Sequence, residues 1–369
     1  MNRLFRWDQT GLFLLALAAG ILPFAVPEVC AAALREGLTL CSGPLLLSLF
    51  PFLVVSRLLI QCPESDLLAL PFRLAAWGIG IRTPCAARVL CIGFLGGFAP
   101  AASAAAQAVR TGQLTAEEAD ALLPACICSG PSFVVLTVGQ SLLGSAELGV
   151  LLFASQITAN YLTAALLNRF AGVRSVKPGS AAPASPAPPR LDEILADAAI
   201  TYCKLCGFIL FFRMLAAGAG ALLPAGAGTL CAVLLEVCSG CDLASRTGRW
   251  GSLLCCAALS VQGLSVLLQV RTICPPEMTL RPLYWARLLH LPLSLALFYL
   301  LLPGGEADVF STLPARVLLM RRVSPDCALL VFAVCCMAAC TLRSGIRQVE
   351  QKQMARNAGG CCINSKTLL

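Results

Sequence analysis

The residues in this chain best suited to chemistry are polar groups set inside apolar stretches. Ala257 to Thr272 is apolar enough to enter a bilayer, yet Gln262-Gly263 sits in its middle, with Ser260, Ser265 and Gln269 around it. A helix that only anchors has no use for two glutamines and a glycine at that depth. Backbone groups freed by a break in hydrocarbon must be buried in protein or line a wet cavity, and interrupted hydrophobic segments are where secondary transporters hold their substrates. Ser129-Gly130-Pro131-Ser132 interrupts an earlier apolar run in the same way. Such tips can hydrogen-bond a small solute, and the N-terminal end of a half-helix attracts carboxylates. The plainer use of the same residues is helix–helix packing, where small and amide side chains glue spans together.

Three ionisable groups accompany the breaks. Glu236 follows Leu234-Leu235 and precedes Val237. A charge at the centre of a span costs about 2.5–3.5 kcal/mol on insertion scales. Glu236 therefore points to proton coupling, to orienting a substrate, or to pairing with a cation such as Arg213 or Arg287. Arg287 and His290 share one helix face. Arginine can clamp a carboxylate and histidine titrates near neutral pH; alternatively, Tyr284, Trp285 and Arg287 form a belt at the membrane interface. Arg57 and Arg213 lie deeper in their segments and pair with acids, face a cavity or snorkel.

Other chemistry finds little support. The chain has one His, which excludes a His-based metal cluster, and it has no Gly-x-Ser-x-Gly and no phosphate loop. No enzyme activity, metal or cofactor is expected. Most of the 21 cysteines lie inside apolar runs, such as Cys255-Cys256 and Cys335-Cys336, where Cys acts as a small apolar residue. Cys203/Cys206 and Cys238/Cys241 have C-x-x-C spacing; a membrane thiol oxidoreductase would need one or the other pair.

The elements that must position these groups are membrane helices. Of 369 residues, 58% are hydrophobic and 12% charged, against about 25% charged in soluble domains, and the mean hydropathy is +0.82. This composition is that of an all-α polytopic membrane protein. The net charge of +8 reads as orientation-setting cationic loops rather than a nucleic-acid surface. Ten hydrophobic segments can be marked, at about 11–33, 41–60, 84–109, 120–142, 146–168, 200–222, 227–244, 250–272, 282–303 and 326–342. The first is long for a signal peptide and reads as a retained helix. Interruptions fall at Gly96-Gly97 and Pro100, at Ser129-Gly130-Pro131, at Glu236 running into Cys238-Ser239-Gly240-Cys241, and at Gln262-Gly263. Thr115 and Glu118 fit a capping box, which starts a helix near Ala116.

Residues 171–190 are rich in Ala, Pro and Ser and read as a flexible linker, followed by an acidic stretch with Asp192, Glu193 and Asp197. The two sides of this linker look like repeats: Phe52-Leu-Val-Val-Ser-Arg57-Leu-Leu recurs as Phe208-Ile-Leu-Phe-Phe-Arg213-Met-Leu. The implied division is an N-terminal helix (1–40), a first repeat (41–168), linker and acidic helix start (169–199), a second repeat (200–303), a loop with the last span (304–342), and a cationic tail (343–369). The N-terminus, linker and tail are all cationic, so the positive-inside rule puts them in the cytoplasm. Five segments precede the linker and five follow it, so one in each half must fail to cross; the interrupted ones are the candidates. The repeats are then inverted, a common carrier plan. Arg316, Arg321 and Arg322 fall outside in this count, against the rule.

At these residues the chain resembles the YlbJ-type sporulation integral membrane proteins, which carry the nucleoside-recognition (Gate) domain. The motifs are Leu234-Leu235-Glu236, Gln262-Gly263-Leu264-Ser265 with Gln269-Val270, and Arg281-Pro282-Leu283-Tyr284-Trp285-Ala286-Arg287-Leu288-Leu289-His290 in the second half. In the first half they are Pro51 to Ser56, Gly96-Gly97-Phe98-Ala99-Pro100 and Ser129-Gly130-Pro131-Ser132-Phe133. The chain departs from its relatives in lacking their Lys after the first break and their Asn before the second-break Pro, where Gly130 stands. The resemblance implies a role in endospore formation: a carrier moving dipicolinic acid from the mother cell toward the forespore, in the outer forespore membrane, with H+ or Na+ as coupling ion and a homo-oligomer as an option. Dipicolinate is a dianion, which two facing helix tips would suit. The substrate-binding set would be Gln262, Gly263, Ser265, Gln269, Glu236, Ser129, Gly130, Ser132, Arg287 and His290. The alternative is a non-transporting membrane scaffold for cortex assembly.

Overall fold

Each interruption read from the sequence becomes a helix end. The computed structural model describes residues 9–61, 63–171 and 190–302; most of the linker, the segment at 326–342, Arg316, Arg321, Arg322 and the tail lie outside the described residues. Within the described residues the chain is an all-α polytopic membrane protein, with no strand. Pro27–Leu47, Ala146–Ala171, Leu191–Leu222, Gly248–Ile273 and Arg281–Leu301 are long and apolar enough to cross a membrane, and shorter apolar helices lie between them.

The first half runs α1 (Gln9–Ala25), α2 (Pro27–Ser42), α3 (Pro44–Gln61), α4 (Leu70–Gly78), α5 (Pro84–Gly96), α6 (Phe98–Arg110), α7 (Ala116–Cys126), a π-helix (Ser132–Leu142) and α8 (Ala146–Ala171). The second half runs α9 (Leu191–Leu222), α10 (Ala225–Leu235), α11 (Val237–Ser245), α12 (Gly251–Val261), α13 (Gly263–Ile273) and α14 (Arg281–Leu301). From α3 in the first half, with α4 inserted, and from α9 in the second, each half is a helix, two broken pairs and a closing long helix. The capping box forms as read: Thr115 Oγ accepts from Glu118 N, Thr115 N donates to the Glu118 carboxylate, and α7 starts at Ala116.

Two readings need correction. The segment at 11–33 is not one helix. It breaks at Val26, whose φ of −139° is extended, and α2 restarts at Pro27; the proline ring disfavours helical backbone in the residue before it. The short helix α4 was not anticipated. Its neighbourhood exposes Leu67, Leu70, Leu74 and Trp77, and the Arg73 guanidinium lies 6.0 Å from the Trp77 ring centre, a composition suited to lying at a membrane interface.

Helix α9 runs antiparallel to the consecutive helices α2 and α3, and α14 runs antiparallel to α8. Along α9 from Asp197 through Tyr202 to Arg213, the partners are Arg57, the Cys41 carbonyl and Glu36, in reverse chain order. Along α14 from Arg287 to His290, the partners on α8 step back from Asn160 to Gln156.

The recurring arginines pair with acids. Arg57 on α3 binds Asp197 at 2.8 Å and Arg213 on α9 binds Glu36 at 2.7 Å. The arginines are 11% exposed, whereas Asp197 and Glu36 are 59% and 65% exposed. Water therefore screens both pairs, and each contributes about 0–1 kcal/mol. Asp197→Asn and Glu36→Gln should each melt within roughly 4 °C of wild type in a detergent thermal-shift measurement.

Candidate functional site

The four helix breaks meet one another. Gly97 separates α5 from α6 with φ +82° and ψ −163°, a conformation essentially confined to glycine. A Cβ there would stand 2.7 Å from Gly130 N, so the first half's two breaks touch through backbone. In the second half, Glu236 separates α10 from α11 in extended conformation, and Gln262-Gly263 separates α12 from α13. A Cβ on Gly263 would stand 3.0 Å from the backbone of Leu235 and Glu236. The second half thus repeats the contact of the first. Gln262 Nε2 donates to Leu259 O at 2.6 Å within its own half and, between halves, reaches Ser129 Oγ at 3.4 Å.

Gln262 has φ +65° and is followed by Gly263 at φ +70°. A left-handed conformation costs a non-glycine residue roughly 1–2 kcal/mol, so packing must hold this turn. The side chain that carries the strain bridges the two halves, and its Oε1 has no hydrogen-bond partner.

A partly open pocket lies where the breaks converge. Its wall includes Ser129, Gly130, Ser132, Glu236, Cys238 and Gln269, with Leu45 and Leu49 of α3 and Ile209 of α9 closing the apolar side. The N-terminal ends of α6, the π-helix and α13 have no side-chain cap. Their partial positive charge lies at the breaks around this space, although in the π-helix Phe133 N and Val134 N already donate to Gly130 O. The wall holds one carboxylate and no basic side chain.

Sequence reasoning left Glu236 with several roles, and its contacts supply one. Its carboxylate accepts from Cys238 N at 2.8 Å, Ser239 N at 2.7 Å and Ser239 Oγ at 2.8 Å, capping α11. The suggested pairing with Arg213 or Arg287 is not made, because Arg213 is held by Glu36. Ser265 accepts from Gln269 Nε2 at 2.9 Å, and Gln269 Oε1, buried in the wall, has no partner. The remaining candidates sit apart. Arg287 and His290 do not line the cavity. They are buried on α14 between α7, α8 and α12, so they form no interface belt, whereas Trp285 is exposed. His290 Nε2 lies 3.2 Å from Gln156 O.

This second polar layer was missed in the sequence. Gln156 Nε2 donates to Ser260 Oγ at 3.0 Å and to Cys256 O at 3.2 Å, and Ser260 Oγ bonds Ser294 Oγ. Ser155, Asn160 and Thr163 complete a buried polar stripe on α8. The available signal was Gln156 and Asn160 four residues apart, one helical turn, inside an apolar segment.

Among the described residues most cysteines are buried. Among the described residues no group of three or more His, Cys, Asp and Glu could hold a metal ion. Comparison with protein-family models, curated proteins and solved structures found no match for the chain.

Proposed function

We propose that this chain is a multi-pass secondary carrier and that the cavity at the four helix breaks binds its solute. The observation that carries this reading is the convergence itself. Unpaired backbone in a membrane is tolerated where it is buried in protein or lines a cavity, and here both halves bring uncapped helix tips to one space. Gln269 Oε1, Ser129 Oγ and Ser132 Oγ supply directional polar groups, and the apolar wall suits the flat face of an aromatic solute. The family resemblance supplies the candidate: dipicolinic acid, carried in the outer forespore membrane from the mother cell toward the forespore, with both chain termini cytoplasmic. Three uncapped tips, each worth about half a positive charge, favour carboxylates.

One observation favours a second reading. A wall with Glu236 and no basic side chain also suits an uncharged heteroaromatic such as a nucleoside. Uptake into proteoliposomes tests both. Labelled dipicolinate should enter saturably, with and without a pH gradient being compared, and Gln269→Ala should weaken uptake about 5–10-fold, the effect of one lost hydrogen bond. Uptake of a labelled nucleoside in place of dipicolinate would move the assignment to the second reading. No uptake of either by protein shown to be folded would favour the scaffold.

A further inference from the structure

Arg287 is surrounded in an unusual way for a buried charge. It is 7% exposed, and among the described residues no carboxylate lies within ion-pair distance of it. Its hydrogen-bond partners are oxygens from three helices or their ends: Nη2 reaches Ile127 O at 3.1 Å and Asn160 Oδ1 at 3.4 Å, and Nη1 reaches Ser260 O at 3.4 Å. Ile127 is the C-terminal cap residue of α7, and Ser260 lies in the last turn of α12. These are the half-helices that end at the Ser129-Gly130 and Gln262-Gly263 breaks. Asn160 Nδ2 also lies 3.5 Å from Ile127 O, which presents its Oδ1 to the guanidinium.

The charge balance follows from the helices. Each helix C-terminus carries about half a negative charge, so two of them offset about one cation. A cage of neutral carbonyl and amide oxygens at helix ends is the ligand set that hard cations take. Here the positive charge is covalently attached to α14 and cannot be lost by deprotonation.

We propose that the Arg287 guanidinium is a built-in cation, filling a monovalent-cation site formed by the C-terminal ends of α7 and α12 with Asn160. The second break of each half is then tied to α14 without any ion from solution. This cage therefore needs no Na+ from solution. Removing the side chain leaves an oxygen cage that lacks its cation and will accept one from solution.

The test is thermal unfolding of the full chain in detergent, which does not depend on transport. Wild type should melt at the same temperature in NaCl, KCl and choline chloride of equal ionic strength. Arg287→Ala should melt on the order of 5–10 °C lower in choline chloride and regain stability saturably with millimolar guanidinium or Na+. Arg287→Lys should hold most of the stability and Arg287→Met should not, which keeps the test decisive even where the alanine variant fails to fold. Selective stabilisation of wild type by Na+ would overturn the proposal. So would Arg287→Met melting with Arg287→Lys, or an alanine variant indifferent to every cation.

Discussion

Gly97→Ala should leave little folded protein. The alanine Cβ would sit 2.7 Å from Gly130 N and 3.0 Å from Gly130 Cα, both backbone atoms of the facing break. No side-chain rotation can relieve that contact. The backbone conformation adds about 1–3 kcal/mol, and overpacking a filled site adds about 1–3 kcal/mol more, against a typical total stability of 5–15 kcal/mol. Gly112→Ala is the matched control: its φ is also positive, at +69°, but nothing lies within 4 Å of the new Cβ. It should cost about 1 kcal/mol. Size-exclusion profiles and melting temperatures of the two variants give the comparison. If Gly97→Ala behaves like Gly112→Ala, the two breaks of the first half do not touch.

Glu236→Ala has the second largest expected effect. It removes three hydrogen bonds and leaves the Cys238 and Ser239 N–H groups unpaired at a buried helix end. Each buried donor left unsatisfied costs about 1–3 kcal/mol, so a loss of about 2–5 kcal/mol is expected. Glu236→Gln keeps one acceptor oxygen and should fall between alanine and wild type in thermal unfolding. An alanine variant as stable as wild type would mean that the carboxylate does not cap α11, and would return it to a role facing the solute.

The break positions were legible in the sequence because the physical signal is local. Glycine, proline and amides have few reasons to sit in mid-membrane, and Gly97, Ser129-Gly130-Pro131, Glu236 and Gln262-Gly263 each end a helix as their residue types indicate. The Thr115–Glu118 capping box is local in the same sense. The missed features depend on partners far along the chain. Nothing near Arg57 or Arg213 says that their acids come from α9 and α2. Arg287 and His290 share a helix face as expected, but that face turns toward Gln156 and Asn160, more than a hundred residues away, rather than into the cavity. The break at Val26 was a different failure: Pro23 and Pro27 were in view, but uniform hydropathy hid the restart at Pro27. Helix α4 escaped because a short amphipathic turn adds little to a hydropathy window.

Cys238 offers the most direct test of the central claim, that the solute binds where the helix breaks meet. Its side chain lines the cavity, while Cys231 on α10 is also partly accessible but lies outside it. Alkylation of both thiols in the purified full chain can be followed site by site by peptide mass spectrometry, across a dipicolinate titration. The account predicts saturable protection of Cys238 with Cys231 unchanged, and a shift of that protection to about 5–10-fold higher dipicolinate in Gln269→Ala. Cys238 alkylated at the same rate at every dipicolinate and nucleoside concentration, in protein shown to be folded, would contradict it.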